Sequence, residues 1–210
     1  MKIKISNDER LVFVGATGSG KTVLAKHFLP RLNRVVVIDP KHTFRLDGFR
    51  PRRTIPLLGK SWRMVYRPRP EDDEDLSDFC DDLFRLKNVT IYIDELSTLA
   101  ERYPLTTTVL ADIARTGRER HVAVWSALQR PRWVPRVFFT EAEGVFMFNL
   151  RSGEDRAYMA QFTGPEVLDT IEKFSFWYAH ADEEHPALMR FNMNKNFIES
   201  LDFSVDKLLP

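Results

Sequence analysis

The run Gly15-Ala16-Thr17-Gly18-Ser19-Gly20-Lys21-Thr22 has the residue types and spacing of a phosphate-holding loop, G-x-x-x-x-G-K-[ST]. Backbone N–H groups of such a loop point inward at the β- and γ-phosphates. Lys21 sets a positive charge between them, and the Thr22 hydroxyl is placed to ligate Mg²⁺. A second constellation follows in Ile91-Tyr92-Ile93-Asp94-Glu95. Here an apolar strand ends on Asp94, which can hold Mg²⁺ through water. Glu95 directly after it can orient and deprotonate an attacking water. A small-molecule kinase needs no such base, because its nucleophile is the substrate. ATP with Mg²⁺ is the expected pair of ligands, and hydrolysis the expected chemistry.

Two further groups belong with these. Gln129 leaves an apolar run, 121–128, where a neutral amide can hydrogen-bond the γ-phosphate or the lytic water. Arg115, Arg118 and Arg120 lie just before that run. They cannot all fold inward without anionic partners. One of them on an exposed corner can enter a neighbouring subunit's site, whereas Arg120 reads as a solvated surface residue.

The elements that must position these groups follow from periodicity. Leu11–Val14 leads into the phosphate loop, and 21–28 reads as the helix whose positive end faces the same anion. The runs 34–39, 89–94 and 121–128 are β-branched or apolar and end where polar residues begin, as buried parallel strands do. Leu105, Val109 and Ile113 recur at helical spacing over 104–116. Strand and helix in alternation predict an α/β sheet covered on both faces. Residues 40–70 carry five prolines and many arginines, and read as loops around one strand at 62–67. Glu71 to Asp75 is an acidic run suited to a helix N-terminus. Beyond Pro135, strands are expected at 144–149 and 155–162 and a helix at 165–174. An aromatic tail follows, with Phe174, Phe176, Trp177, Tyr178, Phe191, Phe197, Leu201 and Phe203. The expected organisation is a core over 1–165, with 166–210 a C-terminal helix and tail packing on the core or on a neighbouring subunit.

With 210 residues, 43% hydrophobic, the chain can bury one good-sized core. Its net charge of +1 excludes a polycation, so any nucleic-acid contact must come from a local patch or from a pore lined by several copies. Candidates are Arg50-Pro51-Arg52-Arg53, Arg67-Pro68-Arg69, and Arg130-Pro131-Arg132 with Arg136. A single cysteine, Cys80, cannot form an internal disulfide. No apolar run approaches the ~20 residues that span a bilayer, and the first residues lack a signal-peptide core. A soluble protein of the cytoplasm, without a transmembrane segment of its own, is expected.

The Asp-Glu ending of the second motif, the arginine-bearing segment and the closing Gln129-Arg130-Pro131 resemble the FtsK–HerA superfamily of DNA-translocating ATPases. Ile38-Asp39-Pro40-Lys41 is similar to that family's second-strand motif, and the likeness covers roughly residues 10–150. Among its short single-domain members, the chain is most similar to the genome-packaging ATPases of membrane-containing and archaeal viruses. The resemblance implies a P-loop NTPase fold of the additional-strand, RecA-like type, with the Gln129 strand between the Walker A and Walker B strands. By position, Lys21 and Thr22 match the Walker A pair, Asp94 and Glu95 the Walker B acids, and Gln129 the sensor. Arg118 falls nearest the trans-acting arginine, with Arg115 a second candidate. Leu128 stands where the family usually has Thr, and His121 where a Gly is frequent. A homo-oligomeric ring, commonly hexameric, around double-stranded DNA is implied, as are capsid or portal-region partners and association with the virion vertex. A conjugation or chromosome-processing translocase, and a nucleotide-controlled assembly scaffold, remain as alternatives.

Overall fold

The computed structural model describes residues 5–6, 8–56 and 59–190. Five strands and three helices come first along the chain. In chain order they are β1 (Leu11–Val14), α1 (Lys21–Phe28), β2 (Arg34–Ile38), β3 (Arg50–Pro51), β4 (Trp62–Tyr66), α2 (Asp73–Leu86), β5 (Val89–Asp94) and α3 (Leu96–Arg102). The rest comprises α4 (Pro104–Thr116), β6 (Val122–Leu128), α5 (Val137–Thr140), β7 (Gly144–Met147), α6 (Gly153–Thr163), β8 (Ser175–His180) and β9 (Ala187–Arg190).

The strands form one sheet in the order β3-β4-β2-β5-β6-β1-β7-β8-β9. From β3 to β7 every pairing is parallel; β8 and β9 close the far edge antiparallel. β6 lies between β1 and β5, with Val12 opposite Ser126 and Ile93 opposite the same residue. The fold is thus the RecA-like, additional-strand P-loop fold, with helices on both faces.

Alternation along each strand sorts the core into two layers. Val12, Val36, Ile91, Ile93 and Val124 pack with Leu76 and Leu83 of α2 and Leu110 of α4. Leu11, Phe13, Val37, Tyr92 and Trp125 face the other way, against Leu24, Ala25 and Phe28 of α1. Beneath the phosphate loop, Phe13 and Phe146 stack with ring centroids 4.9 Å apart, a pair worth about 1 kcal/mol beyond its burial.

The acidic run does begin a helix, α2, and it also caps a second one. Asp73 accepts the N–H groups of Leu105 and Thr106 at 3.0 and 2.9 Å, binding the start of α4 to the start of α2.

Two expectations need correction. Residues 155–162 form the helix α6, not a strand. Ser152 caps it by accepting the Asp155 N–H, Glu154 and Asp155 load the first turn, and Gly164 with φ 97° stops it. The helix expected at 165–174, the C-terminal helix of the tail, is only a 3₁₀ turn at Pro165–Leu168. Asn149 donates its amide to Ile171 O and accepts Ile171 N–H at 2.9 Å, drawing that backbone away from helical pairing. The described part of the aromatic segment packs on the core as a strand: β8 pairs with β7, and Phe176 and Tyr178 are buried. Phe191, Phe197, Leu201 and Phe203 lie outside the described residues.

Candidate nucleotide site

Because β1, β2, β5 and β6 run parallel, the segments after them emerge at one end of the sheet. That end is the usual ligand crevice of α/β proteins. The phosphate loop, the Asp39–Lys41 turn, Asp94-Glu95 and Gln129 all sit there.

The loop's entry is clamped between neighbours. Gly15 N–H donates to Leu128 O, and Ala16 N–H to Asn149 O, at the ends of β6 and β7. A Cβ at Gly15 would sit 2.6 Å from Phe148 Cβ, so only glycine fits the close approach. Gly18 and Gly20 take left-handed φ values of 75° and 115°, which turn the loop into α1. Lys21 Nζ folds over the loop and donates to Gly15 O at 2.8 Å and Ala16 O at 3.0 Å. Burial lowers its pKa to about 8, opposed by the nearby carboxylates of Glu95 and Asp94. Ser19 Oγ is buried inside the loop with no hydrogen-bond partner among the described residues. A loop with an unsatisfied hydroxyl and a folded-in ammonium has the donors a polyphosphate would take up.

Asp94 reaches this loop by sheet geometry. Tyr92 and Asp94, two residues apart on β5, share the face covered by α1. Thr22 Oγ1 therefore donates to Asp94 Oδ1 at 3.1 Å, and Tyr92 OH donates to the same oxygen at 3.0 Å. Burial raises the Asp94 pKa, against these two hydrogen bonds. A hydroxyl and a carboxylate in contact fit Mg²⁺, which takes few protein oxygens and fills its shell with waters and substrate phosphates. Thr22 and Asp94 would hold it.

Glu95 stands at φ 95°, ψ 75°, a conformation uncommon for a residue with a side chain and costing about 1–2 kcal/mol. Its N–H donates to Ala127 O on β6, fixing the tight turn from β5 into α3. The carboxylate, almost fully buried, accepts from the Gln129 amide and pairs with Lys41 Nζ at 3.3 Å. Gln129 also accepts from the Thr17 hydroxyl at 2.6 Å. Lys21, Thr22, Asp94, Glu95, Gln129 and the loop 15–22 are thereby brought together. Lys41, which the sequence marks only as part of the motif Ile38-Asp39-Pro40-Lys41, joins them. Its position in Asp39-Pro40-Lys41, directly after a buried strand, was the available signal.

Arg115 and Arg118 do not join this group. They precede β6 and so lie at the opposite, amino-terminal end of the parallel sheet. Arg115 pairs with Asp112 at 2.6 Å on the surface, and the Arg118 side chain is 71% exposed, 3.9 Å from Glu143. Neither can reach the phosphates of its own chain. Arg120, expected in solvent, lies over the Phe84 ring at 4.6 Å.

The arginine clusters are partly committed to the fold. Arg67 donates to Asp39 at 3.2 Å and to Phe44 O at 3.0 Å, and Arg53 pairs with Asp72 at 2.7 Å. Arg130 lies 3.8 Å from Asp155 and 5.5 Å from the centre of the exposed Trp133 ring. Arg132 pairs with Glu154, and Arg136 lies over Phe162. Arg67–Arg69 follows β4 and Arg130–Arg136 follows β6, both at the carboxyl end of the sheet with the candidate site, whereas Arg50 and Pro51 are β3 itself, paired with β4 at the sheet's edge.

Among the described residues, no helix is long and apolar enough to cross a membrane. No family model and no curated protein matches the chain. Solved structures do share its fold. The genome packaging NTPase B204 from Sulfolobus turreted icosahedral virus 2, in complex with ATP-gammaS, superposes with a TM-score of 0.66 at 17% identity, over 88% of this chain and 98% of B204. The pCW3 conjugation coupling protein TcpA, also with ATPgS, gives 0.61 at 13% identity, over 88% of this chain and 60% of TcpA. The cytoplasmic domain of the Thermomonospora curvata type VII secretion ATPase EccC gives 0.62 at 17%, over 87% of this chain and 25% of that one.

Proposed function

We propose that this chain is a Mg²⁺-dependent ATPase of the FtsK–HerA type that moves double-stranded DNA, in the role of packaging a viral genome into a preformed capsid. The observation that carries the reading is the contact of Thr22 with Asp94, with Glu95 beside it and Lys21 in the same loop. These groups are the two halves of a triphosphate site, one on each side of a single ligand. Glu95 takes a proton from water as its oxygen attacks the γ-phosphorus. The bond from that phosphorus to the β–γ bridging oxygen breaks, and the electron pair leaves with ADP. Lys21 and the loop N–H groups offset charge on the phosphates. Bound Mg²⁺ would supply further neutralisation of the β- and γ-oxygens.

Arg118, or Arg115, serves a neighbouring copy, which makes a homo-oligomeric ring, commonly a hexamer, the working form. Loops carrying Arg130, Arg132 and Arg136 at the nucleotide end meet DNA phosphates without sequence preference. The near-complete coverage of B204 supports packaging over secretion, and supports capsid or portal-region proteins as partners at the virion vertex. TcpA keeps conjugation as the second reading.

ATP hydrolysis measured with and without duplex DNA across a salt series tests the motor. Stimulation that fades as salt rises is expected. Hydrolysis indifferent to DNA at every salt concentration would overturn the motor reading.

A further inference from the structure

Lys41 is held in place by an unusually well-anchored turn. Asp39, with no exposed surface, accepts the N–H groups of Thr43 and Phe44 at 3.0 Å each and Arg67 Nε at 3.2 Å. Arg67 comes from the end of β4 and also binds Phe44 O. His42 adopts a left-handed φ of 59°, and its ring nitrogen meets Pro68 O at 2.8 Å. Pro40 restricts φ immediately before Lys41. The backbone of residues 39–44 is therefore fixed at the carboxyl end of β2, next to the end of β5, since Ile38 pairs with Ile93. Only the four-carbon Lys41 side chain, 42% exposed, is left to move.

That side chain reaches into the nucleotide site. Its Nζ lies 3.3 Å from Glu95 Oε2, the oxygen that also accepts from Gln129, and close enough to Lys21 for the two ammonium groups to repel. An ion pair with one exposed partner is weak. A γ-phosphate placed against Lys21 brings more negative charge than one carboxylate, and would compete for the same ammonium.

We infer that Lys41 exchanges between two anions, the Glu95 carboxylate when no triphosphate is bound and the γ-phosphate when one is. This rests on the reading of the site as one for ATP. Arrival of the third phosphate thereby releases Glu95 toward the lytic water. ADP, lacking that phosphate, leaves Lys41 on Glu95. Lys41 accordingly favours triphosphate over diphosphate and keeps the base restrained until the substrate is complete.

Calorimetric affinities for a non-hydrolysable ATP analogue and for ADP, on wild type, Lys41→Met and Lys41→Arg, test this, together with kcat and KM. Lys41→Met is expected to weaken analogue binding about 10- to 100-fold, the loss of one charge-assisted contact, and to change ADP binding little. kcat should fall, and Lys41→Arg should restore most of the preference. An unchanged ratio of analogue to ADP affinity in Lys41→Met overturns the inference, as does an equal loss for both nucleotides with a lowered Tm. Wild-type protein that binds neither nucleotide instead overturns the ATP reading, and this inference with it.

Discussion

Gln129 and Glu95, each directly after the end of one of two neighbouring strands, are joined through the Gln129 amide and Glu95 Oε2, and the other end of the same amide group accepts from Thr17 in the phosphate loop. One side chain thus links the loop that would hold phosphate to the carboxylate that would act on water. Replacing Glu95 by Gln should leave nucleotide affinity nearly intact and reduce turnover by about 10²–10⁴-fold, the usual contribution of a positioned base. Gln129→Ala should also lower kcat with little change in affinity. Single-turnover hydrolysis and analogue binding check both; unaltered hydrolysis in Glu95→Gln removes the role assigned to it.

Two glycines of one loop should respond differently to alanine. At Gly15 the added Cβ meets Phe148 Cβ at 2.6 Å and Ser19 Oγ at 2.8 Å, and Phe148 is buried. Gly15→Ala should cost about 1–3 kcal/mol and strongly impair nucleotide binding. At Gly18 the space is open but φ is 75°, so alanine should cost about 1 kcal/mol through backbone strain alone. Denaturant unfolding of the two variants side by side would reveal the contrast, and equal losses would contradict it.

The placement of Arg118 at the amino-terminal end of the sheet makes a mixing experiment decisive. Glu95→Gln and Arg118→Ala should each be inactive alone. Mixed, they should regain part of the wild-type ATPase rate, because some interfaces would then pair an intact site with an intact arginine. Rates that stay at baseline after mixing and subunit exchange would exclude action in trans. Parallel use of Arg115→Ala distinguishes the two arginines.

Glu9 should make stability depend on pH. Burial raises its pKa to about 7, with Glu143, Asp8 and Asp182 adding repulsion, and Oε2 has no hydrogen-bond partner among the described residues. Between the ordinary glutamate pKa and about 7 the folded state holds a proton that the unfolded chain has released. Stability therefore falls as pH rises through this window. Glu9→Gln should raise Tm at pH 8 by about 2–4 °C, a screened effect of about 1 kcal/mol, and should have no such effect near pH 4.5. A benefit of the same size at both pH values would point to packing instead of charge.

Much of this site is legible in the order of residues because its chemistry is local. Gly15 to Thr22 form their own cradle, and Asp94-Glu95 end a strand whose β-branched run announces it. The same holds for α4, where apolar spacing decides the helix. Residues 155–162 misled because Ala, Met and Tyr at short range suit either element. The deciding signals were the cap at Ser152 and the stop at Gly164, outside the window. Residues 165–174 failed for a different reason: Asn149, distant in sequence, supplies the partners that replace helical hydrogen bonds.

Residue types and spacing alone determined that a phosphate loop, an acidic strand end and a glutamine belong to one chain, and that parallel strands should carry them. Only the tertiary structure decided which side chains meet. β6 enters between β1 and β5, so Gln129 falls against Glu95. Arg67 crosses from β4 to bind Asp39, so it anchors the turn that aims Lys41. The arginines before β6 fall at the far end from the phosphates, because an extended strand holds the segments at its two ends apart by its full length.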